Sequence, residues 1–195
     1  MGVPKALLLA GGGEALLPRT VGRLLEGGCD EVVVVLGARA EEAHMLLDGG
    51  ADSWPAGAVR AVVAEDWGSG MAASLATGLW SFRCGEPGSD AVLVQLVDLP
   101  DVTAAVVRRV IDTWRHSGAG HDALLRASYA GEPGHPVLLG RDHRDALAAE
   151  VSAALTREGQ ADYGARHYLA DRKVHLVESD DLATGRDVDR PEDLA

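Results

Sequence analysis

Short β-branched runs separated by segments of helical spacing constrain this chain more than any other feature. Strand-length apolar runs recur at Glu31-Val-Val-Val-Val-Leu36, Val59-Arg-Ala-Val-Val63, Ala91-Val-Leu-Val-Gln-Leu96 and Ala123-Leu-Leu-Arg-Ala127. They are continuous rather than alternating, as expected of strands covered on both faces. Between them, Leu16, Leu17, Val21, Leu24 and Leu25 make one helical stripe, stopped by Gly27-Gly28. Met71, Leu75, Leu79 and Phe82 make a second, and Val102, Val106, Val110 and Trp114 a third. Strands alternating with helices predict an α/β fold: a doubly wound, mostly parallel sheet with helices on both faces, in a single domain. Ligands of such sheets bind outside the carboxyl ends of the strands.

The 195 residues, 47% of them hydrophobic, suffice for one continuous core. After Tyr129 the pattern loosens into Gly131-Glu-Pro-Gly-His-Pro136 and a strand-like Val137-Leu-Leu139. Helices around 141–156 and 163–171 and a last strand at Lys173-Val-His-Leu-Val177 complete the chain. A net charge of −12, with no run among the 18 Lys and Arg, argues against a nucleic-acid partner. Aromatic residues at 4% supply no stacking surface for bases. No stretch reaches the roughly 20 apolar residues of a membrane span, and the start Met-Gly-Val-Pro-Lys lacks the order of a secretory signal. Cys29 and Cys84 lack the paired spacing of a zinc site. A soluble, cytoplasmic protein is expected.

Four segments carry chemistry. Strand 91–96 runs into Val97-Asp98-Leu99-Pro100-Asp101, so a carboxylate emerges where an open sheet binds ligand. Asp98 suits Mg²⁺, which prefers carboxylate oxygen and shares its coordination with phosphates and water; as a plain turn, the segment would use Asp101 to cap the helix at 102–116. Glu65-Asp-Trp-Gly-Ser-Gly-Met-Ala-Ala-Ser74 enters the second stripe, with Gly68 and Gly70 permitting close backbone approach and Ser69 placed to cap. Gly134-His135-Pro136-Val137 holds a histidine in a restrained pre-proline position. The C-terminal Gly185-Arg-Asp-Val-Asp-Arg-Pro-Glu-Asp-Leu194 carries Asp187 and Asp189.

In order, Pro4-Lys-Ala-Leu-Leu8, Gly70-Met-Ala-Ala-Ser-Leu-Ala-Thr-Gly78, Asp98-Leu-Pro100, Gly134-His-Pro-Val137 and Asp187-Val-Asp-Arg-Pro-Glu-Asp-Leu194 span the whole chain. Together they resemble the MobA/MocA-like nucleotidyltransferases, the family of the molybdenum cofactor cytidylyltransferases and molybdopterin guanylyltransferases. The resemblance implies transfer of CMP or GMP from an NTP to the phosphate of a molybdopterin-type acceptor, with release of pyrophosphate. CTP is favoured over GTP, because Pro4-Lys-Ala-Leu-Leu8 and Gly134-His-Pro-Val137 look more like the cytidylyl branch. It implies catalytic roles for Asp98 and Lys5, and Mg²⁺ held by Asp98 with Asp187 or Asp189. Gly68, Ser69, Gly70, Met71 and Ser74 would bind the nucleotide, and His135 would lie on the acceptor side. A molybdoenzyme or its chaperone is a further implied partner. Other readings are a truncated, non-catalytic relative that binds cofactor or a partner enzyme, and a different small-molecule nucleotidyltransferase of the same fold.

One segment departs from the family pattern. Leu8-Leu-Ala-Gly-Gly-Gly13 looks like the family's phosphate loop, yet only 17 residues separate Gly13 from Glu31, enough for one helix and its turn. With Pro4-Lys-Ala-Leu-Leu8 taken as the family motif instead, every later motif falls into register. On that reading residues 1–195 are one nucleotidyltransferase-like domain whose first strand and glycine-rich loop are expected upstream of Met1.

Overall fold

The computed structural model describes residues 3–82, 89–155 and 165–188. Its helices and strands alternate: α1 (Leu16–Glu26), β1 (Val32–Leu36), α2 (Ala40–Gly50), β2 (Val59–Val63), α3 (Met71–Ser81), β3 (Ala91–Val94) and α4 (Ala104–Ser117). Then follow β4 (Leu124–Tyr129), β5 (Glu132–Gly140), α5 (Arg141–Leu155), α6 (Ala165–Ala170) and β6 (His175–Glu178). Gly27 terminates α1 as the repeat predicts. A Cβ there would lie 2.4 Å from Val107 Cγ1, so the glycine also admits the close approach of α1 to α4.

The described strands form two sheets. In one, β1 and β2 pair in parallel; in the other the order is β3-β5-β4-β6. Among the described residues no strand pairs with the second edge of β1 or with the second edge of β3. Both faces of the larger sheet are covered. Leu125, Ala127, Tyr129 and Leu138 pack against Val106, Val107 and Val110 of α4. Leu124, Val137 and Leu139 point the other way, onto Leu147 and Val151 of α5 and Tyr168 of α6. On the smaller sheet Val32, Val34 and Leu36 meet Leu17, Val21, Ala43 and Leu47 of α1 and α2. Neighbouring positions of one strand thus face different helices, which is why the runs read as continuously apolar.

The α/β class is as predicted, and the pairing is mixed. β3 and β4 both run antiparallel to β5, while β4 and β6 are parallel. The cause is the stretch after Tyr129. Instead of a loosened loop it is a hairpin: Tyr129 pairs with Glu132 across Ala130 and Gly131, both at positive φ (52° and 79°). A two-residue connection of that conformation joins antiparallel strands only; a parallel neighbour needs a crossover of a dozen residues or more. No helix among the described residues is long and apolar enough to cross a membrane.

Candidate functional site

Beyond β3 the chain turns through Gln95 to Asp101 at the carboxyl end of the strand. Asp98 is half-buried there, and Lys5 Nζ donates to its Oδ2 at 2.8 Å. Lys5 opens a short 3-10 turn, Lys5–Leu7, whose Ala6 and Leu7 pack onto the cluster between β1, α1 and α2. The lysine is therefore held to the site by its apolar neighbours. The side chains of Lys5 and Asp98 are 34% and 19% exposed, and a partly solvated pair of this kind contributes at most about 1 kcal/mol to stability. Its main effect is to set one positive charge against the carboxylate.

The C-terminal segment lies over the same turn. The Val188 amide donates to the Asp98 carbonyl at 2.8 Å. Asp101 Oδ2 accepts from the Thr184 amide (2.6 Å), the Thr184 hydroxyl (2.5 Å) and the Gly185 amide (3.2 Å). Asp101 is thus not the helix cap that the sequence suggests: α4 begins at Ala104, after Thr103, and the carboxylate is committed to a segment 83 residues away. Arg23 donates to the carbonyls of Pro100 and Val102, holding the turn from the α1 side. Asp187, between Arg186 and the buried Val188, is exposed. Asp189 lies outside the described residues.

His135 enters from β5. The Tyr129 hydroxyl donates to its carbonyl at 2.7 Å, and Arg126 Nε donates to the carbonyl of Gly134 at 2.6 Å. Burial drives the His135 imidazole down to about 4; the Arg126 guanidinium pushes the same way and the Asp98 carboxylate opposes both. The ring is neutral at pH 7 and lies within the field of Asp98.

Gly68, Ser69, Gly70, Met71 and Ser74 occupy the connection from β2 into α3, on the smaller sheet. Trp67–Ser69 form a 3-10 turn, Gly70 stands at φ 114° and α3 starts at Met71. The expectation that Ser69 caps this helix is not met, since Gly70 is the N-cap position and no side chain caps it. Gly68 has open space around it, Met71 is exposed and Ser74 half-buried. A Cβ on Gly37, just after β1, would meet Trp67 Cβ at 2.9 Å, so close packing fixes this connection to the end of β1.

The structure therefore brings Lys5, Asp98, His135 and the Asp187 segment to one turn. It also places there two residues that sequence reasoning left out, Arg126 and Tyr129. The signal for Tyr129 was the pair Gly134 and Gly185, each of which leaves room for its ring. Asp98 and Asp187 are the described carboxylates expected to hold a cation, and no group of three His, Cys, Asp or Glu gathers among the described residues. Carboxylate oxygen suits a hard cation that completes its shell with phosphate and water.

Comparison with known proteins agrees with this architecture. The family profile of the MobA-like NTP transferase domain matches residues 1–178. Nicotine blue oxidoreductase of Paenarthrobacter nicotinovorans is 33% identical over 196 residues, covering 98% of this chain and 86% of that protein. Rv0371c of Mycobacterium tuberculosis shares the fold with a TM-score of 0.70 at 24% identity, over 99% of this chain and 87% of that one. A nucleotidyl transferase from Methanothermobacter thermautotroptrophicus superposes with a TM-score of 0.62 at 25% identity, over 97% and 77%. With a family profile over nearly its whole length and a fold shared with these structures, the chain belongs to the MobA-like nucleotidyltransferase family.

Proposed function

We propose that this protein transfers a nucleoside monophosphate from an NTP, CTP in preference to GTP, to the phosphate of a molybdopterin-type acceptor. The observation that carries the reading is the Asp98 turn, where Lys5 donates to the half-buried carboxylate and the Val188 amide, next to Asp187, donates to the backbone carbonyl of the same residue. The acceptor phosphate oxygen attacks the α-phosphorus, the bond to the β-phosphate bridge breaks, and pyrophosphate leaves. Asp98, with Asp187 or Asp189, would hold Mg²⁺, which when bound would supply charge neutralisation at the α-phosphate and the leaving group. Lys5 adds a positive charge on the phosphate side. The connection from Gly68 to Ser74 holds the nucleotide with backbone N–H groups at the start of α3. His135, neutral, offers the acceptor one hydrogen-bond donor or acceptor rather than a charge.

Calorimetry with CTP and GTP in Mg²⁺, alongside pyrophosphate release with a molybdopterin acceptor, tests this. CTP should bind more tightly, and Asp98→Asn should abolish metal-dependent binding without moving the melting temperature. Equal binding of both nucleotides would overturn the cytidylyl preference; activity retained by Asp98→Asn would overturn the metal assignment.

A second reading rests on the 33% identity, over nearly the whole chain, to a protein named an oxidoreductase. It predicts redox turnover of nicotine blue and no pyrophosphate release with any NTP. The two assays run on one preparation separate the readings.

A further inference from the structure

Asp101 and Tyr129 reach the site from different parts of the chain, and both meet the 184–188 segment at Gly185. Asp101 Oδ2 gathers three donors from Thr184 and Gly185, while its Oδ1 is buried and has no hydrogen-bond partner among the described residues. Burying a carboxylate oxygen in this way costs stability, which the three bonds on Oδ2 offset by holding residues 184 and 185. Tyr129, 7% exposed, is wedged between two glycines. A Cβ on Gly134 would lie 2.7 Å from its ring, and one on Gly185, which stands at φ 66°, only 2.2 Å. The ring therefore sets the separation of two segments, one carrying His135 and the other Asp187, and its hydroxyl ties down the His135 carbonyl. Three residues past Gly185, the Val188 amide closes onto the carbonyl of Asp98.

We infer that Asp101 and Tyr129 are positioning residues that clamp the 184–188 segment onto the Asp98 turn, so that Asp187 and Asp98 are presented together to a divalent cation. The inference rests on the nucleotidyltransferase reading for its use of the cation, and on the hydrogen bonds and ring contacts for the clamp itself. Asp101 and Asp98 belong to one turn, so a bond from Asp101 to Thr184 transmits the position of that turn directly to Asp187. In this role neither Asp101 nor Tyr129 would be a ligand of the cation. They act as the outer partners of metal ligands do, by removing the ligands' freedom before binding.

Two readouts on the full chain test this. The first is amide hydrogen exchange at Thr184, Gly185 and Val188. The second is binding of Mn²⁺ alone, followed by loss of the free-ion paramagnetic resonance signal. Asp101→Asn removes the charge that holds three donors. It should speed exchange at these amides about tenfold or more while leaving those of β4 and β5 unchanged. It should also weaken Mn²⁺ binding about tenfold. Thr184→Val, an exposed position that removes only the hydroxyl donor, should give a smaller change of the same sign, and the double variant should show less than the sum. Unchanged exchange in Asp101→Asn would overturn the clamp. Faster exchange with Mn²⁺ affinity within twofold of the parent would overturn the positioning role and leave a purely structural tether. A parent protein that binds no Mn²⁺ would sink both the metal reading and the positioning role, while exchange still decides whether the clamp exists.

Discussion

Acid should weaken this fold through one imidazole. His135 titrates near 6.5 in an unfolded chain and is driven down to about 4 in the folded protein, chiefly by burial and next by Arg126. Between those values the unfolded state binds a proton that the folded state refuses, so stability rises with pH across the window. The contribution is fully present above pH 6.5, is lost progressively as pH falls towards 4, and changes no further below that. A displacement of this size corresponds to about 3 kcal/mol at its limit, and partial solvation of the ring reduces this to about 2 kcal/mol. The perturbation is His135→Gln, which keeps a neutral hydrogen-bonding side chain of similar size and cannot titrate. Urea unfolding of both proteins at pH 7.5 and pH 4.5 removes the contribution of every other acid-sensitive group by difference. The parent should lose about 2 kcal/mol more than the variant over that interval. Imidazole carbon resonances followed by NMR should show a His135 midpoint below 5. A midpoint between 6 and 7, or equal losses in the two proteins, would refute the argument that burial dominates over attraction by Asp98.

Gly185→Ala introduces a methyl group into the Tyr129 ring at a backbone conformation that costs an alanine about 1–2 kcal/mol before any clash. It should lower stability by at least that amount in urea titration, and faster exchange at the Val188 amide should accompany it. Cys29 has its thiol pushed up to about 11, mainly by burial and further by Asp30. In a Cys84→Ser background its reaction with a thiol reagent at pH 8 should run about two orders of magnitude slower than that of a free thiol. Addition of denaturant should restore the ordinary rate.

How legible the site was in the sequence depended on how far apart its parts lie along the chain. Asp98 was readable because a buried strand, a turn and a proline follow one another locally, and ligands of open α/β sheets gather at such strand exits. Lys5 and His135 were flagged by resemblance, and only folding brings Lys5 to within 2.8 Å of a residue 93 positions away. Asp101 was misread because a local rule, an acidic residue ahead of a helix, competed with a long-range one. Three donors from residues 184 and 185 offered its carboxylate more than a single N-cap bond. Tyr129 went unnoticed because a buried tyrosine at the end of a strand is ordinary core. Its significance lies in the two glycines that face it, which the chain places five and 56 residues later.

The sequence by itself determined the element types and the fold class. The helical period of 3.6, the strand-length apolar runs and the turn residues act within a few positions, so they can be read without knowing any partner. It also carried the ordered motifs that mark the family. Tertiary structure alone decided the strand order β3-β5-β4-β6, the presence of two sheets, and the union of Asp98 with the Asp187 segment. It also decided that a tyrosine and a second aspartate hold that segment in place. Those outcomes depend on contacts between residues tens of positions apart, whose energies appear only once both partners have been brought together and their loop-closure entropy has been overcome.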